Sequence, residues 1–183
     1  MLKKITFALL LCTAPLFANA NNIQLNQNVP AVSIEKGGEI FVENDKVSYS
    51  PWDTKSLLGK VRVIQAIAGR SGAKAMNAPL MAAITKAEFP ADSYQTTTIV
   101  NQDDSIWGTG SFVKSSAEDG KKEFPWSSMV LDQDGIATKQ WQLTSESSTI
   151  IVQDKIGKVL FNQTGALNPE EIKQVLQLIQ QNI

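Results

Sequence analysis

The chain has 183 residues, with 17 Lys and Arg against 18 Asp and Glu, one Cys and no His. Nucleic acid is not an expected partner, because nucleic-acid-binding domains carry a basic excess that this composition lacks. Without histidine there is no catalytic imidazole and none of the usual His-containing zinc sites. The composition gives no reason to expect a metal or an organic cofactor.

The first twenty residues have the three parts of a secretory signal peptide. Lys3 and Lys4 form a positive n-region, residues 5–11 form a short apolar core, and Ala18-Asn19-Ala20 matches an A-x-A cleavage site. The apolar core is too short to span a membrane. We therefore predict cleavage after Ala20 and export to the periplasm.

Cleavage would leave residues 21–183 as a single domain. Removal of the leader lowers Lys and Arg from 17 to 15 against 18 Asp and Glu, a net charge of −3 on 163 residues. It also removes Cys12, the only cysteine, so disulfides and thiol redox chemistry are excluded in the mature chain. No later apolar run approaches membrane length, so we expect no membrane insertion.

The mature chain begins with a predicted hairpin. Val32-Ser33-Ile34 and Ile40-Phe41-Val42 favour two strands, joined by a turn at Gly37-Gly38. The polar stretch 44–56 is expected to be a surface connection in which Trp52 is a packing anchor.

A buried central strand is predicted for Val61 to Ala68, ending abruptly at Gly69, where a helix begins. Pro79 should kink this helix. The β-branched stretch Tyr94 to Val100 favours the next strand. The apolar face of the helix has a spacing of three and four residues and consists of Ala73, Met76, Leu80, Ile84 and Ala87.

A short helix is predicted after the loop 101–110, with Ser111 as its N-cap and Gly120 at its end. Two hairpins then follow, one joining 128–131 to 136–141 and one joining 149–152 to 158–161.

The last helix has the clearest start signal, with Asn168 as N-cap, Pro169 at N1 and Glu171 at N3. The element order is that of an α/β sandwich with a mixed sheet.

This order resembles the thioredoxin fold, particularly exported thiol oxidoreductases of the TlpA/ResA kind and the peroxiredoxins. The Cys-x-x-Cys of that fold falls on Ser71-Gly72-Ala73-Lys74, and the helix-kinking proline falls on Pro79. The Pro-Thr with the usual cis-proline falls on Ser148-Thr149. The resemblance implies a three-layer thioredoxin-like sandwich with a central mixed sheet and an N-terminal hairpin extension. Because both redox cysteines are replaced, thiol–disulfide exchange is excluded.

The whole mature chain is similar to the YtfJ family of small exported bacterial proteins. The similarity rests on residues 59–63, Ala68-Gly69-Arg70, the strand 94–100 and Gly165-Ala166-Leu167. It implies the fold and the compartment but no activity.

Three interpretations of the turn after the central strand stay open. Its glycines, the helix N-terminus, Arg70 and Lys74 could cradle an anion. Gly69 and Gly72 could instead serve only the sharp turn, with both cations solvated. Finally, Ser71 and Lys74 match the S-x-x-K pair of serine enzymes, although their Ser-Asp-Asn and Lys-Thr-Gly motifs are absent.

Acidic and aromatic residues in the loops offer weaker candidates. Asp132 and Asp134 resemble an incomplete calcium loop, so a hairpin turn is the expected structure. Asp103 and Asp104 are expected to be solvated. Three tryptophans could line the end of the sheet that faces a ligand, with core packing as the alternative for each: Trp107, Trp126 and Trp141.

We expect a periplasmic binding or accessory module that holds an unidentified extended peptide, protein or small anion. The thioredoxin-like resemblance implies that the ligand lies in a polar groove formed by residues 69–74 and 146–149, across which Ser71 and Ser148 face each other. Catalytic residues are not assigned. The alternatives are a serine hydrolase using Ser71 and Lys74, or a structural subunit that binds its partner through an edge strand or an aromatic patch. The expected ligand-binding residues are Gly69, Arg70, Ser71, Lys74, Ser147 and Ser148.

Overall fold

A computed structural model describes residues 21–183 as a seven-stranded mixed sheet with helices on both faces. The predicted signal peptide lies outside these residues. The strands are β1 Ser33–Glu43, β2 Lys46–Asp53, β3 Val61–Ala68, β4 Tyr94–Asn101, β5 Ser128–Asp132, β6 Ser148–Gln153 and β7 Val159–Thr164. The helices are α1 Ser71–Met76, α2 Ala78–Ala87, α3 Gly110–Glu123, α4 Ile136–Trp141 and α5 Pro169–Asn182, with a 3₁₀ turn at Thr54–Leu57.

The strand order is β2-β1-β5-β4-β3-β6-β7. Strands β3, β4 and β5 run parallel to one another. Strand β1 pairs antiparallel with β5, and β6 pairs antiparallel with β3. Every residue of β3 is buried, as expected for a strand covered on both faces. The predicted central strand is therefore confirmed.

Side chains alternate between the two faces of the sheet, and each face has its own helical layer. Val61 and Val63 face α2 and α5, while Ile67 faces α1 and α3. Ile64 and Ala66 face the opposite layer, which contains α4, the 3₁₀ turn and the N-terminal segment. This is the expected three-layer sandwich.

The predicted N-terminal hairpin exists, but its turn was placed wrongly. Gly37 and Gly38 lie inside β1 at positive φ, where the register with β2 shifts as in a β-bulge. The actual turn is Asn44-Asp45, and the stretch 44–56, expected to be a connection, contains the whole of β2. Trp52 is buried, which confirms it as a packing anchor.

The first of the two later hairpins is wrong, because residues 136–141 form α4. Gly135 takes a left-handed conformation, and both carboxylate oxygens of Asp132 accept N–H bonds from Ile136 (2.9 Å) and Ala137 (2.8 Å). These contacts start a helix where the sequence suggested a return strand. Strand β5 pairs instead with β4 and β1.

The predicted helix after β3 is divided in two at Asn77. Pro79 lies in the first turn of α2, where backbone N–H groups have no partner within the helix. Its missing N–H therefore costs no hydrogen bond, and the proline marks the start of a second helix. Helix α3 starts one residue before the predicted N-cap Ser111 and runs three residues beyond Gly120.

The final elements match their predictions. Strands β6 and β7 form the second hairpin. Asn168 and Glu171 form a complete capping box at the start of α5. Among the helices of residues 21–183, none combines the length and apolarity that crossing a membrane requires.

Both tyrosines of the chain should resist ionisation. Burial raises the pKa of Tyr49, and so does its 2.5 Å hydrogen bond to Glu118, while burial raises the pKa of Tyr94. Because the folded state then keeps protons that the unfolded state releases, the free energy of unfolding should fall as pH rises above about 10. Absorbance at 295 nm should show phenolate only as the protein unfolds; a titration near pH 10 in the folded state would contradict this.

Candidate functional site

The turn between β3 and α1 lies at the carboxyl end of the parallel strands. Gly69 packs directly against the next strand, since a Cβ there would lie 2.7 Å from the carbonyl oxygen of Asn101. A Cβ on Gly72 would meet nothing within 4 Å. Sterics therefore require glycine at position 69 and not at position 72.

Arg70 joins three segments at this turn. Its Nε donates to the backbone and carboxylate oxygens of Asp104, both at 3.2 Å, and its guanidinium forms a 3.0 Å ion pair with Glu146. Asp104 also accepts a 2.6 Å hydrogen bond from the backbone N–H of Glu146. The turn, the loop after β4 and the loop before β6 are thus held together.

This network changes the expected role of Arg70. Two carboxylates already lie against its guanidinium, so its charge is compensated within the fold. The Asp104 side chain is largely buried, whereas that of Glu146 is 65% exposed. A ligand carboxylate could displace only the Glu146 contact. Asp104, expected to be solvated, instead positions Arg70.

Ser71 and Lys74 lie on the exposed side of α1. Lys74 Nζ approaches Ser116 Oγ of α3 at 3.5 Å, and no hydrogen bond joins it to Ser71 in the part of the chain that the structure describes. Helix α1 has only six residues. The geometry therefore provides no base for the Ser71 hydroxyl.

Ser147 and Ser148 differ in accessibility. Ser148 is 0% exposed and accepts a 2.9 Å hydrogen bond from the amide of Asn77, so the expectation that it faces Ser71 across an open groove is wrong. Ser147 is half-buried, and its carbonyl accepts from Ala68 N–H at 3.0 Å. Residues 21–183 contain no cis peptide bond.

A cavity of about 250 Å³ adjoins the network. Asn101, Asp104 and Gly135 lie in its wall, together with Lys139, which forms a 3.0 Å ion pair with Asp103. The described residues contain no cluster of three acidic, His or Cys side chains that could hold a metal ion. The cavity is therefore a polar pocket in which charges of opposite sign are already paired.

Asp132, a calcium candidate in the sequence, is fully buried. Burial raises its pKa, and the N–H donors of α4 act in the opposite direction. Its oxygens accept the first N–H groups of α4, so its role is structural, in a turn that leads into a helix and not into the expected hairpin.

An exposed apolar surface of three side chains borders the turn. Of these three, the sequence indicated only Trp107. Trp107 is 98% exposed, Phe112 is 74% exposed and Ile106 is 58% exposed; we call these three side chains the apolar surface. Asp104, two residues before Ile106, fixes this loop to Arg70. Val113, next to Phe112, packs where a Gly69 Cβ would lie.

The three tryptophans do not form one wall. Trp141 is completely buried, and Trp126 lies before β5 at the opposite end of the sheet from Trp107. Periodicity could not have found the apolar surface, because its members come from an irregular loop and one helical turn.

Solved structures establish the fold. The thioredoxin domain of a thiol-disulfide oxidoreductase from Bacteroides vulgatus matches with a TM-score of 0.59 at 13% identity, covering 85% of this chain and 97% of that one. A thiol-disulfide isomerase from Corynebacterium glutamicum matches with a TM-score of 0.53 at 17% identity, covering 83% and 96%. Both matches support the predicted thioredoxin-like architecture.

Two sequence relatives span nearly the same length. The uncharacterized protein YtfJ of Escherichia coli K12 is 48% identical over 179 residues, 98% of this chain and 97% of the relative. An uncharacterized protein of Haemophilus influenzae is 43% identical over 160 residues, 87% of each chain. A family model described as a bacterial protein of unknown function, YtfJ_HI0045, matches residues 23–182. The chain therefore belongs to the YtfJ_HI0045 family, as its resemblance to the YtfJ proteins predicted.

Proposed function

We propose that this protein is an exported, thioredoxin-like binding module that recognises an apolar side chain of an extended peptide segment. The observation that carries the proposal is the apolar surface of Ile106, Trp107 and Phe112 beside the turn at Gly69. Monomeric proteins seldom leave such large apolar side chains uncovered together without an interaction to make.

Two properties of the apolar surface favour recognition of a peptide: it lies near exposed residues of α1, and Arg70 holds its loop in place. A side chain can dock on Trp107 while the rest of the segment passes the exposed residues Ser71 and Lys74. Arg70 acts indirectly, because its contacts with Asp104 hold the loop that presents Ile106 and Trp107. A fixed surface loses less entropy on binding than a mobile one.

The other candidate functions have less support. Anion binding at Arg70 would require displacement of Glu146 from its 3.0 Å ion pair. Hydrolysis at Ser71 would need a base, and Lys74 contacts Ser116 instead. Covalent labelling of Ser71 by a serine-reactive probe would favour the hydrolase.

Export is proposed on the signal-peptide features of residues 3–20. A cut after Ala20 would keep the contacts of the mature N-terminus, where Asn21 and Asn162 exchange amide hydrogen bonds and Ile23 is buried.

A displayed library of random heptapeptides tests the binding proposal. We expect selection for peptides with an aromatic or large aliphatic residue. Trp107→Ser should weaken their binding by about tenfold or more, as expected for loss of an aromatic anchor. Trp107→Phe should restore most of the affinity, and Arg70→Ala should weaken binding because the loop loses its support.

Trp126→Ser is the matched control, since this tryptophan is also exposed but lies at the opposite end of the sheet. Equal effects of the Trp107 and Trp126 substitutions would contradict the placement. Failure of the library to yield any binding peptide would contradict the function.

A further inference from the structure

Lys74 lies at the edge of the apolar surface, one helical turn away from Phe112. Its ammonium nitrogen approaches Ser116 Oγ of α3 at 3.5 Å. Phe112 and Ser116 are four residues apart in α3, so their side chains lie on the same side of that helix. All three residues are exposed. A cation therefore lies beside the apolar surface, about 6 Å from Phe112 along the axis of α3.

Lys74 differs from the other cations near this surface because its charge is not compensated. Among residues 21–183, no acidic side chain forms an ion pair with it within 4.0 Å. The hydroxyl of Ser116 contacts the ammonium group without neutralising it. The neighbouring cations are each paired with acidic side chains: Arg70 with Asp104 and Glu146, Lys114 with Glu118, and Lys139 with Asp103.

The distance from the apolar surface to Lys74 suits an extended peptide. Alternate side chains of an extended chain point the same way and are about 7 Å apart. One helical turn, the separation of Phe112 from Ser116, is close to this value at about 6 Å. A peptide side chain that docks at Phe112 therefore places the side chain two positions away beside Lys74.

We propose that the bound segment carries an acidic residue two positions from its apolar anchor, and that Lys74 recognises this carboxylate. The inference rests on the proposed peptide-binding function and adds a charge preference to it. The apolar surface supplies most of the affinity, because an exposed ion pair contributes little. Lys74 selects among apolar peptides, since a basic residue at the same position would meet an uncompensated like charge.

A displayed heptapeptide library with tryptophan fixed at its centre tests this preference. Selection on the wild-type protein should enrich Asp and Glu two positions from the tryptophan. Selection on Lys74→Glu should enrich Lys and Arg at that position, because reversal of the charge reverses the favoured sign. Lys74 is exposed, so neither substitution of it should disturb folding, which circular dichroism would verify.

Affinities of one selected acidic peptide isolate the contribution of the charge. Exchange of its carboxylate side chain for the matching amide should weaken binding about two- to fivefold, as expected for one exposed ion pair. Lys74→Gln should weaken binding of the acidic peptide by a similar factor and leave binding of the amide peptide unchanged. The difference between the two peptides should shrink as NaCl is raised from about 50 to about 500 mM, because salt screens exposed charges.

Lys114→Gln is the matched control variant. This lysine lies on the same helix but faces away from Phe112, since residues two apart lie on different sides of a helix. Its charge already pairs with Glu118, and its ammonium group lies 5.2 Å from the centre of the Tyr49 ring. The preference for the acidic peptide should therefore persist in this variant.

Two kinds of failure can be distinguished. Selected peptides without acidic enrichment, or equal acidic enrichment on the wild type and on Lys74→Glu, would overturn the role of Lys74 and leave the peptide-binding proposal in place. Failure to recover any peptide whose binding depends on Trp107 would overturn both.

Discussion

Trp141→Ala is expected to lower the free energy of unfolding by about 3–5 kcal/mol, the range for removal of a large aromatic side chain from a core. Trp141 is completely buried in the cluster between α4 and the sheet. Its indole N–H donates to the carbonyl of Pro30 at 2.7 Å, so the substitution would remove both apolar contacts and a buried hydrogen bond. Urea unfolding followed by circular dichroism would measure the loss.

Trp107→Ala is the matched control for this measurement. Its side chain is 98% exposed, so the free energy of unfolding should change by no more than about 0.5 kcal/mol. Similar losses for the two variants would contradict the burial of Trp141 and the exposure of Trp107.

Asn77→Ala should lower the free energy of unfolding by about 3 kcal/mol, since it breaks three hydrogen bonds worth about 1 kcal/mol each. The amide of Asn77 donates to Ser148 Oγ at 2.9 Å and to the carbonyl of Gly165 at 3.0 Å. Its oxygen accepts from the N–H of Leu167 at 3.1 Å. This side chain joins the break between α1 and α2 to β6 and to the loop before α5.

Asn182→Ala serves as the control, because this residue at the end of α5 makes one hydrogen bond, to the carbonyl of Leu178. Its effect should be at most about 1 kcal/mol. A loss at Asn77 no greater than that at Asn182 would show that the three contacts do not act together in stabilising the fold.

Asn77 also shows why part of the candidate site could not be predicted. The sequence placed it in a helix interrupted by Pro79, and nothing local indicates that its amide bonds residues 71 and 90 positions away. Ser148 was expected at the groove because it aligns with the thioredoxin proline, and its contact with Asn77 is equally invisible in the local sequence. The alignment correctly predicted that Ser148 lies at the start of a strand. Its hydroxyl is buried because Asn77 packs against it.

Arg70 shows that the compensation of a charge is equally hard to predict from local sequence. Its place at the turn after β3 followed from the end of the apolar strand at Gly69. The two carboxylates that contact it come from loops 34 and 76 residues further along the chain. Local sequence therefore predicts a cation at the turn, whereas tertiary contacts determine that its charge is compensated.

Several elements could be predicted because their signals are local. Strand β3 is a run rich in Val, Ile and Ala, and α5 begins with a capping box whose contacts span three residues. The replacement of both redox cysteines by Ser71 and Lys74 is likewise a property of the sequence alone. These features account for the correct fold family and for the recognition that the chain has no Cys-x-x-Cys pair.

Pairing partners and burial were decided only in the tertiary structure. Residues 136–141 became a helix because Asp132 binds its first N–H groups, and 46–53 became β2 because β1 offered an open edge. A short segment carries little intrinsic preference, so long-range contacts select its conformation. Composition and periodicity thus determined the scaffold and the lack of a Cys-x-x-Cys pair, while packing between distant segments determined which side chains remain exposed.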